Sequence, residues 1–139
     1  MTIATPDALP ALPTVLPRVE RRAAIPAGFR AGGASAGIKA SGRPDLAIVA
    51  LEPGPSGERR TASAAAVFTP NAFAAAPVRL SQAHLAATSP PGRGRFGYAD
   101  AIVSTSGSAN AATGAAGDAD QIAIAKMLAA AVGAPVERT

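Results

Sequence analysis

The residues of this chain best placed to do chemistry lie between 104 and 114, Ser-Thr-Ser-Gly-Ser-Ala-Asn-Ala-Ala-Thr-Gly. Thr113 offers a hydroxyl, and Gly114 offers a backbone N–H with no Cβ beside it. Two such donors aimed at one point would stabilise the oxyanion of a tetrahedral intermediate, commonly by about 3–4 kcal/mol per donor. Asn110 can organise the turn through side-chain-to-backbone hydrogen bonds. The small neighbours would let a substrate approach the backbone. The same composition also suits a well-packed polar turn ahead of a helix, and residue types alone leave both readings open.

The other constellations fall short of a mechanism. There is no cysteine, which excludes disulfides, thiolate metal sites and a cysteine nucleophile. His84 is the only histidine, so a metal site lacks ligands. A Ser-His-Asp arrangement through Ser81 or Ser104 has no nucleophile-elbow spacing to support it, and His84 reads as a half-exposed helix residue. Gly92, Gly94 and Gly97 match the letters of a dinucleotide loop, but a strand rather than a helix follows them. Lys39 is not followed by the hydroxyl residue that a phosphate loop requires. The carboxylates are scattered, and Asp118 reads as a helix cap. No cofactor and no metal are expected.

The elements that must position the turn belong to a chain of 139 residues, the size of one ordinary domain. Hydrophobic residues make up 48%, but aromatics only 4%, so the core is built from small side chains that bury little area each. The net charge is +4, with arginines in short groups at 18, 21 and 22, at 59 and 60, and at 93 and 95. Only Phe96 and Tyr98 follow any of these groups, which is not the continuous basic face with stacking aromatics that nucleic acid requires. No stretch approaches the roughly 20 apolar residues of a membrane helix. The N-terminus lacks the basic end and unbroken apolar run of a secretory signal. The expectation is a cytoplasmic protein with neither nucleic-acid nor membrane partners.

Prolines at 6, 10, 13 and 17 mark residues 1–24 as an extended arm, leaving 25–139 as the folded part. Residues 26–44 are glycine-rich, with a short strand expected at 35–39 and Ile38 facing inward. Residues 45–51, DLAIVAL, read as a buried strand between Pro44 and a turn-rich loop. Residues 62–69 read as a second strand, paired with the first as a hairpin or neighbour. Residues 80–87 suggest a short helix capped by Ser81. Residues 88–97 read as a loop and 101–105 as a third strand. Asp118 with Gln121 matches a capping box, and Gly133 and Pro135 are stop signals, which predicts a helix over 118–132. The irregular mixing of strands and helices argues for a layered α/β (α+β) domain rather than a doubly wound one.

Four blocks in order resemble the ornithine acetyltransferase family. They are Pro26-Ala-Gly-Phe with Ala36-Gly-Ile-Lys and Asp45-Leu-Ala; Val67-Phe-Thr-Pro-Asn with Ala75-Ala-Pro-Val; Ser104 to Gly114; and Gly117-Asp118 with the helix after it. Together they cover residues 26–139. The resemblance implies antiparallel sheets sandwiched between helices, as in N-terminal-nucleophile hydrolases. It implies a precursor that cuts itself and frees a threonine at the start of a second, β chain, giving a hetero-oligomer of α and β chains. That threonine would take acetyl from N-acetylornithine and pass it to glutamate in a ping-pong cycle of arginine biosynthesis, releasing ornithine. Acetyl-CoA as a second donor is left open. The family's oxyanion-hole pair falls on Thr113 and Gly114.

The family has Asn where this chain has Thr105 and Ser108, so the turn's hydrogen bonding is expected to differ. The chain stops at Val136-Glu-Arg-Thr, where the family continues toward its substrate-binding lysine, its cleavage site and its nucleophile. The expectation is therefore the N-terminal part of such an enzyme, inactive alone. A self-cleaving aminopeptidase or hydrolase of the related fold is the alternative. A fragment that only binds a partner chain is another.

Overall fold

The computed structural model describes residues 24–92 and 96–139. The expected N-terminal arm, up to residue 23, lies outside the described residues, as do Arg93, Gly94 and Arg95. The elements run β1 (Phe29–Ala34), β2 (Leu46–Leu51), β3 (Ala62–Ala64), α1 (Ala76–Ala87), β4 (Gly97–Ala99), β5 (Ala101–Thr105), α2 (Gly114–Val132) and a 3-10 turn (Val136–Arg138). The result is a mixed α/β unit of antiparallel sheets and helices, as the sequence predicts.

The apolar run at 46–51 becomes the central strand of a three-stranded sheet, ordered β1-β2-β5. Both pairings are antiparallel, with Ala31 opposite Val49 and Val49 opposite Ile102. Because side chains alternate along a strand, Ile48, Ala50, Ala101 and Val103 share one face. There they pack with Leu128 and Val132 of α2. The core is small, as the alanine-rich composition implies. On the opposite face Val49 is 41% exposed and Ile102 61%.

Several expectations are corrected. The strand in the glycine-rich stretch is β1, ending at Ala34, so residues 35–39 are loop and Ile38 is exposed. The strand at 62–69 shrinks to Ala62–Ala64 and pairs with β4 in a separate two-stranded sheet, not with β2. Its alanines supply too little side chain to hold a longer ladder, and Pro70 ends the segment. The short helix starts earlier, at Ala76. Pro77 fits its first turn, and Ser81 sits inside it, donating its hydroxyl to Pro77 O at 2.7 Å rather than capping.

The long helix also starts earlier, at Gly114, with Thr113 at the N-cap and no side-chain cap bond. Asp118 therefore lies one turn inside, where it pairs with Arg79 of α1. A tertiary charge partner has taken the carboxylate that the capping pattern assigned to the helix end. Gly133 closes the helix in the left-handed conformation at φ 69°, as its position predicts.

Candidate active site

The turn from β5 to α2 is built on Asp45, the residue just before β2, which therefore starts one residue later than the strand expected at 45–51. Asp45 is only 3% exposed. Its carboxylate accepts three backbone hydrogen bonds from the preceding loop: Ala36 N–H at 2.6 Å, Ile38 N–H at 2.7 Å and Lys39 N–H at 2.8 Å. These bonds favour the ionised form and hold its pKa below the ordinary 3.8, with the Ala36 bond contributing most and burial opposing. The Asp45 carbonyl also accepts the Ser106 N–H at 2.8 Å, extending the β2–β5 ladder into the turn. Gly107 follows at φ +105°. A Cβ there would stand 2.7 Å from Lys39 Cγ, so the lysine stem rests directly on the turn. The lysine ammonium donates to Pro44 O at 3.0 Å.

Beyond Gly107 the backbone is strained. Asn110 at φ 48° and Ala112 at φ 56° are the non-glycine residues with positive φ among those described. Asn pays little for this conformation, but Ala has no polar side chain to offset the Cβ clash, so the surrounding structure must hold it there. Such strain concentrates at ligand and active sites. From Ala112 to Gly114 φ runs +56°, −88° and +60°. An alternation of right- and left-handed residues turns successive N–H groups toward one concavity, an arrangement suited to anions.

That concavity coincides with the start of a 19-residue helix, whose first N–H groups have no intrahelical acceptor and whose dipole favours negative charge. Among the described residues no acceptor takes the Gly114 N–H. Thr113 is exposed, and its hydroxyl reaches Asn110 O only at 3.4 Å. Gly117, one turn on, leaves room for it: a Cβ there would fall 1.8 Å from Thr113 Oγ1. The arrangement can present a weakly engaged hydroxyl and a free amide at a positive helix end. Thr105 ends β5 as a partly buried strand residue, and the Ser108 hydroxyl bonds Asn110 Oδ1 at 3.0 Å. At Ser108, one of the two departures from the family pattern, the turn is thus still internally bonded.

The other candidates sit elsewhere. A cavity of about 360 Å³ lies among β3, α1, β4, β5, α2 and the 3-10 turn, and neither Thr113 nor Gly114 lines it. His84 borders it, with Nδ1 2.8 Å from Thr139 O, and Ser81 is committed to Pro77 O. Ser104 is an exposed residue of β5. Among the described residues no group of three His, Cys, Asp or Glu could hold a metal ion. None of their helices is long and apolar enough to cross a membrane.

Two features escaped the sequence reading. Asp45 was visible as the start of a strand and as part of a block shared with the family, but not as an anchor of the turn, and the strain at Asn110 and Ala112 has no signature in residue type beyond the asparagine.

Residues 30–139 match the model of the ArgJ family. The chain is 45% identical over 113 residues to the arginine biosynthesis bifunctional protein ArgJ of Thermobifida fusca, covering 81% of this chain and 26% of that protein. It is 50% identical over 107 residues to the protein of the same name from Mycobacterium tuberculosis, covering 77% of this chain and 23% of that one. The chain thus spans about a quarter of the length of these relatives. Among solved structures it is similar to ornithine acetyltransferase of M. tuberculosis complexed with ornithine, with a TM-score of 0.67, 43% identity, and 81% of this chain and 53% of that one covered. A second neighbour is the arginine biosynthesis bifunctional protein ArgJ from Bacillus halodurans, with a TM-score of 0.66, 31% identity, and 81% and 50% coverage. A family match over most of the chain, in the same order as the sequence blocks and on the same fold, has one reading: the chain belongs to the ArgJ family.

Proposed function

We propose that this chain forms the oxyanion-binding part of a glutamate N-acetyltransferase that moves acetyl from N-acetylornithine to glutamate in arginine biosynthesis. The observation that carries the reading is the turn at 112–114. There, alternating φ, an uncommitted Gly114 N–H and a helix N-terminus meet beside the Thr113 hydroxyl. The names of the relatives and the ornithine-bound neighbour support the substrate class.

In this reading a threonine from the part of the family's length that this chain does not span attacks the acetyl carbonyl of N-acetylornithine. The carbonyl electrons move onto oxygen, and Thr113 Oγ–H and Gly114 N–H donate to that oxyanion. Collapse breaks the C–N bond, the amine takes a proton and ornithine leaves, with acetyl now on the threonine. The amine of glutamate then attacks the acetyl-enzyme through a second oxyanion at the same donors; collapse breaks the ester C–O bond, the proton given up by the amine restores the threonine hydroxyl, and N-acetylglutamate leaves. The scheme needs no cofactor. Acetyl-CoA can enter as an alternative donor at the first step. The proposal extends to an active form that is a hetero-oligomer of α and β chains cut from one precursor, working in the cytoplasm.

The test is Thr113→Ala in the complete protein, with acetyl transfer and the melting temperature measured together. Loss of one oxyanion donor lowers kcat by about 10²–10³-fold while the melting transition persists. Unchanged kcat removes Thr113 from the mechanism. Release of free acetate without any dependence on glutamate assigns a hydrolase instead. The 139-residue chain alone is expected to transfer no acetyl, because the proposed nucleophile lies outside it.

A further inference from the structure

We infer that Asp45 is a positioning residue for the oxyanion turn, acting through Ser106 and Lys39 rather than by touching substrate. The inference rests on the acetyltransferase reading above and adds to it a residue outside the Ser104–Gly114 turn.

The turn must hold two non-glycine residues at positive φ, Asn110 and Ala112, the second in a conformation that its own side chain disfavours. Something rigid must define where the turn begins. It leaves β5 at Thr105, and the next amide, Ser106 N–H, is fixed on the Asp45 carbonyl at 2.8 Å. The following residue, Gly107, lies against the stem of Lys39, whose own N–H is held by Asp45 Oδ2 at 2.8 Å. One residue therefore grips the turn from two sides, from its main chain directly and from its side chain through the loop it organises.

The carboxylate is well suited to that task. It is buried and acceptor-only, and it meets three N–H donors at 2.6–2.8 Å. The loop it gathers is further closed by Gly42 N–H on Lys39 O at 3.1 Å and by the Ser35 hydroxyl on Gly42 O at 2.8 Å. Oxyanion donors work only when held to a fraction of an ångström, so a small shift where the turn begins falls on the chemical step. It should not fall on ground-state binding, because the donors interact more strongly with the oxyanion than with the substrate carbonyl.

The experiment is Asp45→Asn in the complete enzyme. Rates are normalised to active sites, counted as acetylated threonine by mass spectrometry, so that a smaller folded fraction does not count as lost turnover. The amide places N–H groups against N–H groups, so the loop that carries Lys39 against Gly107 loses its anchor, while the main-chain bond from Ser106 remains. The expected result is a fall in kcat of about tenfold to a hundredfold, with KM for N-acetylornithine within about twofold of the parent. A per-site kcat equal to the parent's overturns the inference, and so does a loss confined to KM. If Asp45→Asn yields no folded protein, Lys39→Ala reads out the same linkage. It removes the stem against Gly107 and leaves the three backbone bonds in place, so a lowered kcat supports the inference and an unchanged one overturns it. A parent enzyme without transfer activity would instead count against the acetyltransferase reading itself, which keeps the two failures apart.

Discussion

Two buried aspartates stand at opposite ends of the β2–β5 ladder, and they are treated in opposite ways. Each immediately precedes a strand, and each uses its main-chain carbonyl to close the ladder: Asp45 takes Ser106 N–H at 2.8 Å and Asp100 takes Leu51 N–H at 2.9 Å. Their exposures are similar, 3% and 6%. The Asp45 carboxylate, however, is saturated by three backbone donors, whereas neither carboxylate oxygen of Asp100 has a hydrogen-bond partner among the described residues. Among the described residues, two guanidinium groups approach Asp100 at longer range, Arg59 at 3.8 Å and Arg138 at 4.0 Å. Burial of an aspartate therefore says little by itself. At the Asp45 end directional bonds fix a loop and, through it, the oxyanion turn. At the Asp100 end the carboxylate has loose charge pairing with Arg59 and Arg138, and it is the main chain that fixes backbone, the Asp100 N–H donating to Arg138 O at 2.7 Å.

Three measurements on the complete protein break or sharpen that contrast. Asp45→Asn should lower the denaturation midpoint most, because it leaves buried N–H groups facing an amide. In the parent protein the same bonds should make stability depend on pH. A carboxylate whose pKa is depressed by folding contributes stability that is fully present above its unfolded pKa, near 3.8, and is lost as pH falls through the lower folded value. Acid titration of the midpoint should therefore be steeper below about pH 4 in the parent than in Asp45→Asn. Equal slopes would mean the three bonds do not select the ionised form.

An intermediate effect is expected for Gly97→Ala, at the end of the molecule where close packing does the positioning. The new Cβ would stand 2.5 Å from Leu85 O, a backbone atom that cannot step aside without moving α1. Overpacking of this kind costs about 1–3 kcal/mol, read from urea denaturation, and should leave kcat per folded molecule unchanged. The smallest effect is expected for Asp100→Asn. Its pairs are long and Arg59 is half exposed, so the change should cost no more than about 1 kcal/mol. A loss at Asp100 matching that at Asp45 would show that long-range charge, not the hydrogen bonds, sets the value of a buried aspartate here.

Much of this was legible in the residues, and what was not has definite causes. The run at 45–51, observed as a strand from Leu46, and the segment at 101–105 read as strands because short apolar stretches between turn signals have few alternatives. The end of α2 was legible because Gly133 can take φ 69° without a Cβ penalty. Its start was misplaced because a capping box is a local pattern, and Asp118 found a stronger partner in Arg79, 39 residues away in the chain. The short helix was truncated for a similar reason, since Ser81 is a common cap type but here donates back to Pro77. Strand pairing was the largest miss. Alanine-rich strands carry little cross-strand signal, so nothing in residues 62–64 announced that they would pair with β4 rather than with β2.

By itself the sequence determined the chemistry that could be attempted. It has no thiol and a single histidine, and it has a small-residue turn whose Thr113 and Gly114 can donate hydrogen bonds. Those are properties of residue identity, fixed before any folding. Only the tertiary structure decided that Asp45 anchors the loop beside that turn, that Lys39 rests on Gly107, and that φ alternates through 112–114. The reason is physical: hydrogen bonds and charge pairs between distant segments depend on where the chain brings them, and residue order does not specify which donors a buried carboxylate will meet.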